Sequence, residues 1–275
     1  MSPFRAGAPL TDHWEHFRFE VADRVATITF DRPDRLNALT FEVYADLRHL
    51  LTELPHRSDV EAVVITGAGK GFCSGGDVDE IIGRLLAMDA RDLLDFTRMT
   101  GAVVRAMREC PIPIVAGVNG TAAGAGAVIA LAADLRVVAD TASFHFLFTR
   151  VGLSGGDMGS AYLLPRVVGA GRATEILMFG DPVDAATAER IGLANRVVPV
   201  DEVGPAAAAM AARLAAGPTF AYRATKSLLT RELDMDLAGS IELEAVTQAL
   251  LMTTADHAEF HAAYTEGRHP DWRGR

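Results

Sequence analysis

Cysteine is nearly absent from this chain, with only Cys73 and Cys110 among 275 residues. Two cysteines cannot build the disulfide framework that stabilises many small secreted domains. Long apolar runs are absent as well, since no stretch reaches the roughly 18 residues that a membrane-spanning helix needs. Residues 1–12 also lack the apolar core of a signal peptide. We therefore expect a soluble protein of a reducing compartment, the cytoplasm, with no membrane partner.

Basic residues are also in short supply. The 26 lysines and arginines are outnumbered by 36 acidic residues, which gives a formal net charge of −10. Nucleic-acid-binding proteins neutralise phosphates with clustered Lys and Arg, so nucleic acid is not expected as a partner. A small anionic ligand needs only a local basic rim and is not excluded. No group of His, Cys and Asp has the spacing of metal ligands, so no metal site is expected.

The first two thirds of the chain alternate between strand and helix patterns. Residues 16–21 and 25–30 are alternating apolar runs around a short polar break, which is typical of a β-hairpin. Thr40 is suited to cap a helix that runs from Phe41 to about Leu54. Further strands are predicted at 63–66, 112–118, 135–138 and 142–148.

The last third is predicted to be helical. The helices are expected at 184–191, 203–216, 220–233, 237–251 and 256–265. The whole pattern predicts an α/β protein with a C-terminal helical portion. We divide it into a flexible lead-in at 1–15, a core at 16–202 and a helical region at 203–275.

Two glycine-rich turns, residues 67–77 and 119–127, stand where a buried strand leads into a helix. Glycine lets the main chain approach a ligand closely, and a helix N-terminus offers N–H donors that have no intrahelical partner. Two such turns could jointly hold one oxygen that becomes an anion during a reaction. Ordinary tight connections remain the alternative for either turn alone. Neither turn has the spacing of a phosphate loop or of a strict G-x-G-x-x-G motif, so nucleotide binding is not expected.

Several segments, taken in order, resemble the enoyl-CoA hydratase/isomerase (crotonase) family. Residues 30–39 resemble the opening loop of that family, residues 65–77 its first oxyanion loop and residues 114–126 its second. Further matching segments lie at 152–169, 185–194 and 197–199, with Lys226 in the C-terminal helices. The match covers roughly residues 17–264, and the order of the motifs is more specific than any one of them.

The resemblance implies a crotonase-type spiral of ββα units that acts on a coenzyme A thioester and has no tightly bound cofactor. It implies a homotrimer or a dimer of trimers, with residues 203–275 as the trimerisation region. The thioester oxygen would be held by the N–H groups of Gly76 and Ala125. Preorganised donors of this kind matter, because the loss of one can cost roughly 100- to 1000-fold in rate.

The resemblance also implies a binding path for coenzyme A. The main chain around Ala38, Ser74 and Gly76 would line the adenine and pantetheine. Arg35 and Lys226 are expected to contact the phosphates, because cationic side chains suit such groups. The alternative for both is a solvated surface cation, since exposed Lys and Arg are common.

The chain departs from the family at two positions. Hydratases of the family use two glutamates beside the oxyanion site. The first position falls at Val128, and the second falls at Phe148, or at Leu147 or Thr149 if the alignment shifts by one residue. None of these side chains can act as a general base, so ordinary syn-hydration is not expected.

One carboxylate remains in the right neighbourhood. Asp157 coincides with an aspartate that family members use to shift double bonds or to isomerise ring thioesters. Burial would raise its pKa towards the working pH, which favours proton transfer. The alternative is a helix N-cap, with the carboxylate on the N–H of Gly159 or Ser160.

Other candidates for the chemistry are weaker. His145 could be a base, although a histidine between Phe144 and Phe146 is more often packed or surface-facing. Cys73 could be a nucleophile if its pKa were depressed, although a buried small residue is the more common state of a free cysteine. Phe146 and Phe148 are expected to wall an acyl pocket or fill the core.

The sequence thus predicts acyl-CoA enolate chemistry in which Gly76 and Ala125 stabilise the anion and Asp157 moves the proton. Isomerase-like proton transfer is favoured over hydration. Two other hypotheses stay open: a family member that binds acyl-CoA with little or no turnover, and an interaction protein that keeps the trimer without a ligand.

Overall fold

Two β-sheets carry the fold of residues 10–274, the part of the chain that the computed structural model describes. The larger sheet has the strand order β1-β2-β3-β5-β7-β10 and the smaller one the order β4-β6-β8-β9. The strands are β1 (Arg18–Ala22), β2 (Val25–Phe30), β3 (Ala62–Gly67), β4 (Gly71–Cys73), β5 (Ile114–Val118), β6 (Thr121–Ala123), β7 (Leu135–Ala139), β8 (Ser143–His145), β9 (Val183–Asp184) and β10 (Arg196–Val198).

Helices fill the remaining segments and dominate the last third, as the sequence predicts. They are α1 (Phe41–Glu53), α2 (Gly83–Leu85), α3 (Ala90–Glu109), α4 (Ala125–Ala132), α5 (Ser160–Val168), α6 (Ala170–Phe179), α7 (Ala185–Arg190), α8 (Val203–Ala215), α9 (Thr219–Arg231), α10 (Leu237–Leu251) and α11 (Ala255–Glu266). Thr40 caps α1 as expected, because its hydroxyl accepts from the N–H of Val43. None of the helices within residues 10–274 is long and apolar enough to cross a membrane.

The chain winds as a spiral of strand–strand–helix units. Three such units follow one another: β3 and β4 before α3, β5 and β6 before α4, and β7 and β8 before α5. In each unit the first strand joins the large sheet and the second joins the small sheet, and successive units pair in parallel. Every residue of β5 is buried, which explains its continuous apolar run.

Several features differ from the sequence prediction, among them the short strands β9 and β10, which have no predicted counterpart. The short strands β4 and β6 lie inside the two glycine-rich turns and have only three residues each, too few to show an alternating pattern. The strand predicted over 142–148 ends at His145, and residues Leu147–Val151 form a 3₁₀ turn instead. Helix α6 has no counterpart among the predicted helices.

The lead-in expected over 1–15 is only partly described, because residues 1–9 lie outside the described residues. Within the described part, the N–H of Thr11 donates to the carboxylate of Glu53 at the end of α1. The guanidinium of Arg57 lies 2.9 Å from the carboxylate of Asp12. Residues 11 and 12 are therefore held against the core.

Candidate active site

The two glycine-rich turns meet. Gly75, which follows β4, has a φ of +94°, and a Cβ at this residue would lie 2.9 Å from the carbonyl oxygen of Ala123 and 3.4 Å from the nitrogen of Ala125. On the other side, a Cβ at Gly126 would lie 2.2 Å from the carbonyl oxygen of Cys73. Only glycine fits at these two points, so the sequence itself lets the loops approach.

Both turns present main-chain N–H groups at this meeting point. Ala125 is the first residue of α4, so its N–H has no intrahelical acceptor, and Gly124 supplies no side-chain cap. On either side of Gly76, the carbonyl of Gly75 accepts from the N–H of Leu39, and the N–H of Asp77 donates to the carbonyl of Leu39. Within residues 10–274, the Gly76 N–H itself has no hydrogen-bond acceptor. The structure thus brings together the two donors that the sequence predicted.

Arg32 holds the first of these loops in place. Its guanidinium lies 3.0 Å from the carboxylate of Asp77 and donates to the carbonyl of Ala38 at 2.7 Å. The Asp77 carboxylate also accepts from the N–H groups of Asp79 and Glu80. The hydrogen bond from Glu80, followed by the one from Asp79 and the charge of Arg32, lowers the pKa of Asp77. Asp77 is therefore a buried, charged anchor beside Gly76.

Two asparagine side chains fix the stretch before that loop. The carboxamide of Asn37 donates to the carbonyls of Ala68 and Gly71 at 2.9 and 2.8 Å. The carboxamide of Asn119 donates to the carbonyls of Gly69 and Gly71 at 3.0 and 3.2 Å. The second turn therefore helps to hold the first one, because Asn119 lies just before β6.

Asp157 lies on the loop before α5, the helix that packs on α4. Its carboxylate does not cap that helix: the N-cap residue is Gly159, which has no side-chain cap, and the N–H of Ser160 bonds to the Asp157 carbonyl. The capping alternative is therefore wrong. Burial raises the pKa of Asp157, and a main-chain hydrogen bond from Met158 offsets part of that rise.

Ser160 was missed by the sequence reasoning, and it shapes the Asp157 loop. Its hydroxyl donates to the carbonyl of Gly155 at 2.7 Å and accepts from the N–H of Asp157 at 3.0 Å. Ser160 is fully buried. A serine at the start of an apolar helix is a recognisable signal for side-chain hydrogen bonds to the preceding loop.

Arg32 was also missed by the sequence reasoning. Arg32 stood in the quoted opening loop, but only the tertiary structure shows its contact with Asp77.

The positions of the two hydratase glutamates carry no acid. Val128 is fully buried on α4, one turn after Ala125, and Phe148 is 7% exposed in the 3₁₀ turn. Cys73 is fully buried, and burial raises the pKa of its thiol to about 12, which disfavours the thiolate that a nucleophile needs. His145 is bonded to the Ser143 hydroxyl at 2.8 Å, and burial, followed by the charge of Arg150, lowers its pKa.

Three of the residues expected to line coenzyme A lie together. The carbonyl of Arg35 accepts from the hydroxyl of Ser74 at 3.3 Å and from the N–H of Ala38 at 3.1 Å. The Arg35 guanidinium is 60% exposed and lies 3.0 Å from the carboxylate of Asp79. The side chain is thus placed at the rim of the first oxyanion loop, where it can reach solvent.

Lys226 is placed differently from the expectation. It is 5% exposed, and its ammonium lies 2.7 Å from the carboxylate of Asp134 and 2.9 Å from the carbonyl of Ile112. Asp134 follows the C-terminal end of α4, away from Ala125. In this structure Lys226 is therefore a buried ion-pair partner and is not free to contact a ligand phosphate.

No cluster in the described part of the chain has three or more His, Cys, Asp or Glu side chains placed to hold a metal ion. The groups here that could take part in chemistry include the main-chain N–H groups of Gly76 and Ala125 and the Asp157 carboxylate, whose pKa is raised. The structure defines a class of protein, a ββα spiral in which two strand–helix turns meet and present main-chain donors.

Comparison with known proteins identifies that class. A sequence model of the family described as enoyl-CoA hydratase/isomerase matches residues 20–275. The chain is 38% identical to a "Probable enoyl-CoA hydratase" of Rhodobacter capsulatus, over 94% of this chain and 98% of that protein. It is 33% identical to the 1,2-epoxyphenylacetyl-CoA isomerase of Escherichia coli, over 91% of this chain and 95% of that enzyme.

A solved structure agrees with this result. A Streptomyces coelicolor A3(2) protein, provisionally named an enoyl-CoA hydratase, superposes with a TM-score of 0.98 at 62% identity over the full length of both chains. The chain belongs to the enoyl-CoA hydratase/isomerase family, and its fold is the crotonase fold that the sequence predicted. The chemistry of this family is that of acyl-CoA thioesters.

Proposed function

We propose that this protein is an acyl-CoA isomerase-type enzyme that moves a proton along the acyl chain through a thioester enolate. The observation that carries the proposal is the combination of the free Gly76 and Ala125 N–H groups with a single carboxylate of raised pKa, Asp157. Val128 and Phe148 at the glutamate positions argue against ordinary hydration, because neither can activate water.

In the proposed reaction, the Asp157 carboxylate takes a proton from a carbon next to the thioester carbonyl. The C–H electron pair becomes the carbon–carbon double bond of the enolate, and the carbonyl electron pair moves onto oxygen. The Gly76 and Ala125 N–H groups stabilise that oxyanion, a contribution of about 3 kcal/mol for each donor. In a 3-enoyl thioester the enolate is conjugated with the existing double bond. The oxygen electron pair then re-forms the carbonyl, the enolate double bond becomes the new 2,3 double bond, and the old double-bond electrons take the proton from Asp157 at the γ carbon.

The ligand is held, in this proposal, by the rim of the first oxyanion loop. Arg35 would contact phosphate, and the main chain of Ala38, Ser74 and Gly76 would line the rest of coenzyme A. The exposure of the Arg35 guanidinium supports this role. The burial of Lys226 in its pair with Asp134 does not support the same role for that residue.

We also propose that copies of the chain associate through the C-terminal helices as a trimer or a dimer of trimers. In α10, all of which is described, no residue is buried. Its exposed apolar side chains include Leu237, Ile241, Val246 and Leu250, at 76%, 55%, 62% and 56%. Leu237 and Ile241 lie on one face of α10, and Val246 and Leu250 lie on the opposite face, because an α-helix has 3.6 residues per turn. Exposed apolar surface of this kind marks protein–protein contacts.

The test of the reaction is deuterium exchange in D₂O with a panel of enoyl- and acyl-CoA thioesters, read by mass. We expect exchange or double-bond migration in the natural protein and its loss in Asp157→Asn. Asp201→Asn, a change at an exposed carboxylate, is the matched control and should behave as the natural protein. If every thioester binds but none exchanges, the second candidate function, an acyl-CoA-binding family member, would hold in place of the isomerase. The loss of both glutamates favours this second candidate.

A further inference from the structure

Gly76, one of the two proposed oxyanion donors, is held in register by Leu39. The two residues form an isolated parallel β-bridge. The N–H of Leu39 donates to the carbonyl of Gly75 at 2.8 Å, and the N–H of Asp77 donates to the carbonyl of Leu39 at 2.9 Å. Strands of a sheet usually have about five or six residues, so such a short bridge depends on support from other contacts.

The Arg32 guanidinium supplies support of this kind, because it joins the two chains of the bridge. Its Nη1 atom donates to the carbonyl of Ala38, the residue before Leu39, at 2.7 Å. The same Nη1 atom lies 3.0 Å from the carboxylate of Asp77, the residue after Gly76. A guanidinium is planar and presents its donors in a fixed geometry, so one side chain sets the distance between the two chains.

The contact between Arg32 and Asp77 is shielded from solvent. The Asp77 side chain is 3% exposed and the Arg32 side chain 27%, and salt screens a partly buried pair much less than an exposed one. Arg32 is also fixed at its main chain, since its N–H donates to the carboxamide oxygen of Asn37 at 3.0 Å. Its Nη2 atom donates to the carboxylate of Glu80 at 2.9 Å. Arg32 is therefore anchored at both ends, and its removal would leave the buried Asp77 carboxylate without this cation.

We propose that Arg32 is a positioning residue for the Gly76 N–H, which it directs at the thioester oxygen by holding the bridge between Leu39 and Gly76 together. This inference rests on the proposed function, in which the Gly76 N–H is an oxyanion donor. In this role Arg32 itself contacts no reacting atom. A preorganised donor acts on the charge that develops in the transition state. The loss of Arg32 should therefore lower the rate of enolate formation and leave thioester affinity nearly unchanged.

The experiment is the D₂O exchange assay at a saturating concentration of the thioester that the natural protein exchanges fastest. Calorimetry with the same thioester gives the affinity and the number of binding sites. Arg32→Gln should lower the exchange rate per binding site by about 10- to 100-fold, with affinity within about 2-fold of the natural value. Arg32→Lys keeps the charge without the fixed fork of donors, so its rate should lie between those of the natural protein and Arg32→Gln.

Arg172→Gln is the matched control. It removes an exposed arginine from its ion pair with Glu175 on α6, at 2.8 Å, and should keep the natural rate and affinity.

Asp77→Asn tests whether Arg32 acts through Asp77. Asparagine is as good an N-cap residue as aspartate, so the variant can keep the hydrogen bonds from Asp79 and Glu80 while it loses the charge. Asp77→Asn alone should also lower the exchange rate. The two changes together, Arg32→Gln with Asp77→Asn, should lower the rate by about 3- to 10-fold less than the product of their single effects.

The outcomes separate this inference from the proposed function. A natural rate per binding site in Arg32→Gln would overturn the role of Arg32, while exchange by the natural protein would still support the proposed function. Equal proportional losses of rate and of binding sites would show a role in folding alone and would overturn the inference as well. If Arg32→Gln does not fold, a natural rate in Asp77→Asn would refute it. No exchange by the natural protein with any thioester would sink the proposed function and this inference together.

Discussion

The main chains of Gly75 and Ala125 approach so closely that a methyl group on Gly75 would touch the Ala125 nitrogen, at 3.4 Å. These residues lie 50 positions apart in the chain, at the ends of β4 and β6. The parallel pairing of those two strands brings them side by side. The meeting of the two turns is therefore a product of the spiral, in which each unit places its turn beside the turn of the unit before.

Gly75→Ala should disable this site. The new Cβ would lie 2.9 Å from the Ala123 carbonyl oxygen at a φ of +94°, which strains the main chain by about 1–3 kcal/mol. Displacement of the second turn should lower the exchange rate by about 100-fold. Chemical denaturation and the D₂O assay measure both effects.

Gly171→Ala is the matched control for that variant. Gly171 lies in α6, and a Cβ added there would have nothing within 4 Å of it, so alanine should stabilise the helix by up to about 1 kcal/mol. Exchange should stay at the natural rate. A Gly75→Ala protein with the natural exchange rate would show that the two turns do not form the oxyanion site.

The exchange rate should depend on pH through Asp157. A general base works as the carboxylate, and burial raises the pKa of Asp157. As the pH falls, the rate should therefore begin to drop at a higher pH than an ordinary aspartate near 3.9 would give. Asp157→Asn should lower the rate by about 100-fold or more and remove this acidic limb. The pH–rate profile of both proteins is the measurement, and a limb that persists in the variant would point to another base.

The ionised form of Asp157, which the reaction needs, should lower the stability of the folded protein. A carboxyl group whose pKa is higher in the folded than in the unfolded state favours folding below its unfolded pKa, and that contribution is lost as the pH rises through the folded pKa. At neutral pH the ionised Asp157 is thus a cost, and Asp157→Asn should raise the melting temperature. A lower melting temperature at neutral pH would contradict the burial of this carboxylate.

Lys226→Met and Arg35→Ala should have separate effects. Removal of the buried Lys226 ammonium leaves Asp134 with Arg108 at 3.3 Å and the Ile114 N–H at 2.8 Å as partners, so the loss of one charged hydrogen bond should cost about 1–3 kcal/mol of stability. Arg35→Ala removes an exposed cation and should leave stability within about 0.5 kcal/mol, while it weakens coenzyme A binding. Denaturation and calorimetry with free coenzyme A distinguish the two. If coenzyme A binding were weaker in a folded Lys226→Met protein and unchanged in Arg35→Ala, then Lys226, and not Arg35, would be the residue that contacts the phosphates.

The association of the chains should depend on α10. Light scattering after size exclusion should give the mass of three or six copies for the natural protein. Two charges placed in the apolar surface, Leu237→Glu with Ile241→Glu, should shift the mass towards the monomer, because burial of a charge without a partner is unfavourable. Arg91→Glu on α3 should leave the assembly intact. A monomeric natural protein would refute the proposal.

The sequence by itself determined the family, the α/β class and the two glycine-rich turns that the structure brings together. These features depend on local signals: the apolar runs of β3 and β5, the Thr40 cap and the glycines at 75 and 126 that no other residue could replace. The sequence also shows that the two hydratase glutamates are replaced, since Val128 and Phe148 stand at their positions. Each of these signals lies within one short segment of the chain.

Only the tertiary structure decided which charged and polar groups belong to the site. Arg35 and Lys226 look alike in sequence, but Lys226 is neutralised by Asp134, 92 residues away, while Arg35 stays at the surface. Asp157 proved not to be a helix cap because Gly159 takes that place in a left-handed turn. Burial and pairing are set by contacts between distant segments, and a sequence pattern does not encode which of them will meet.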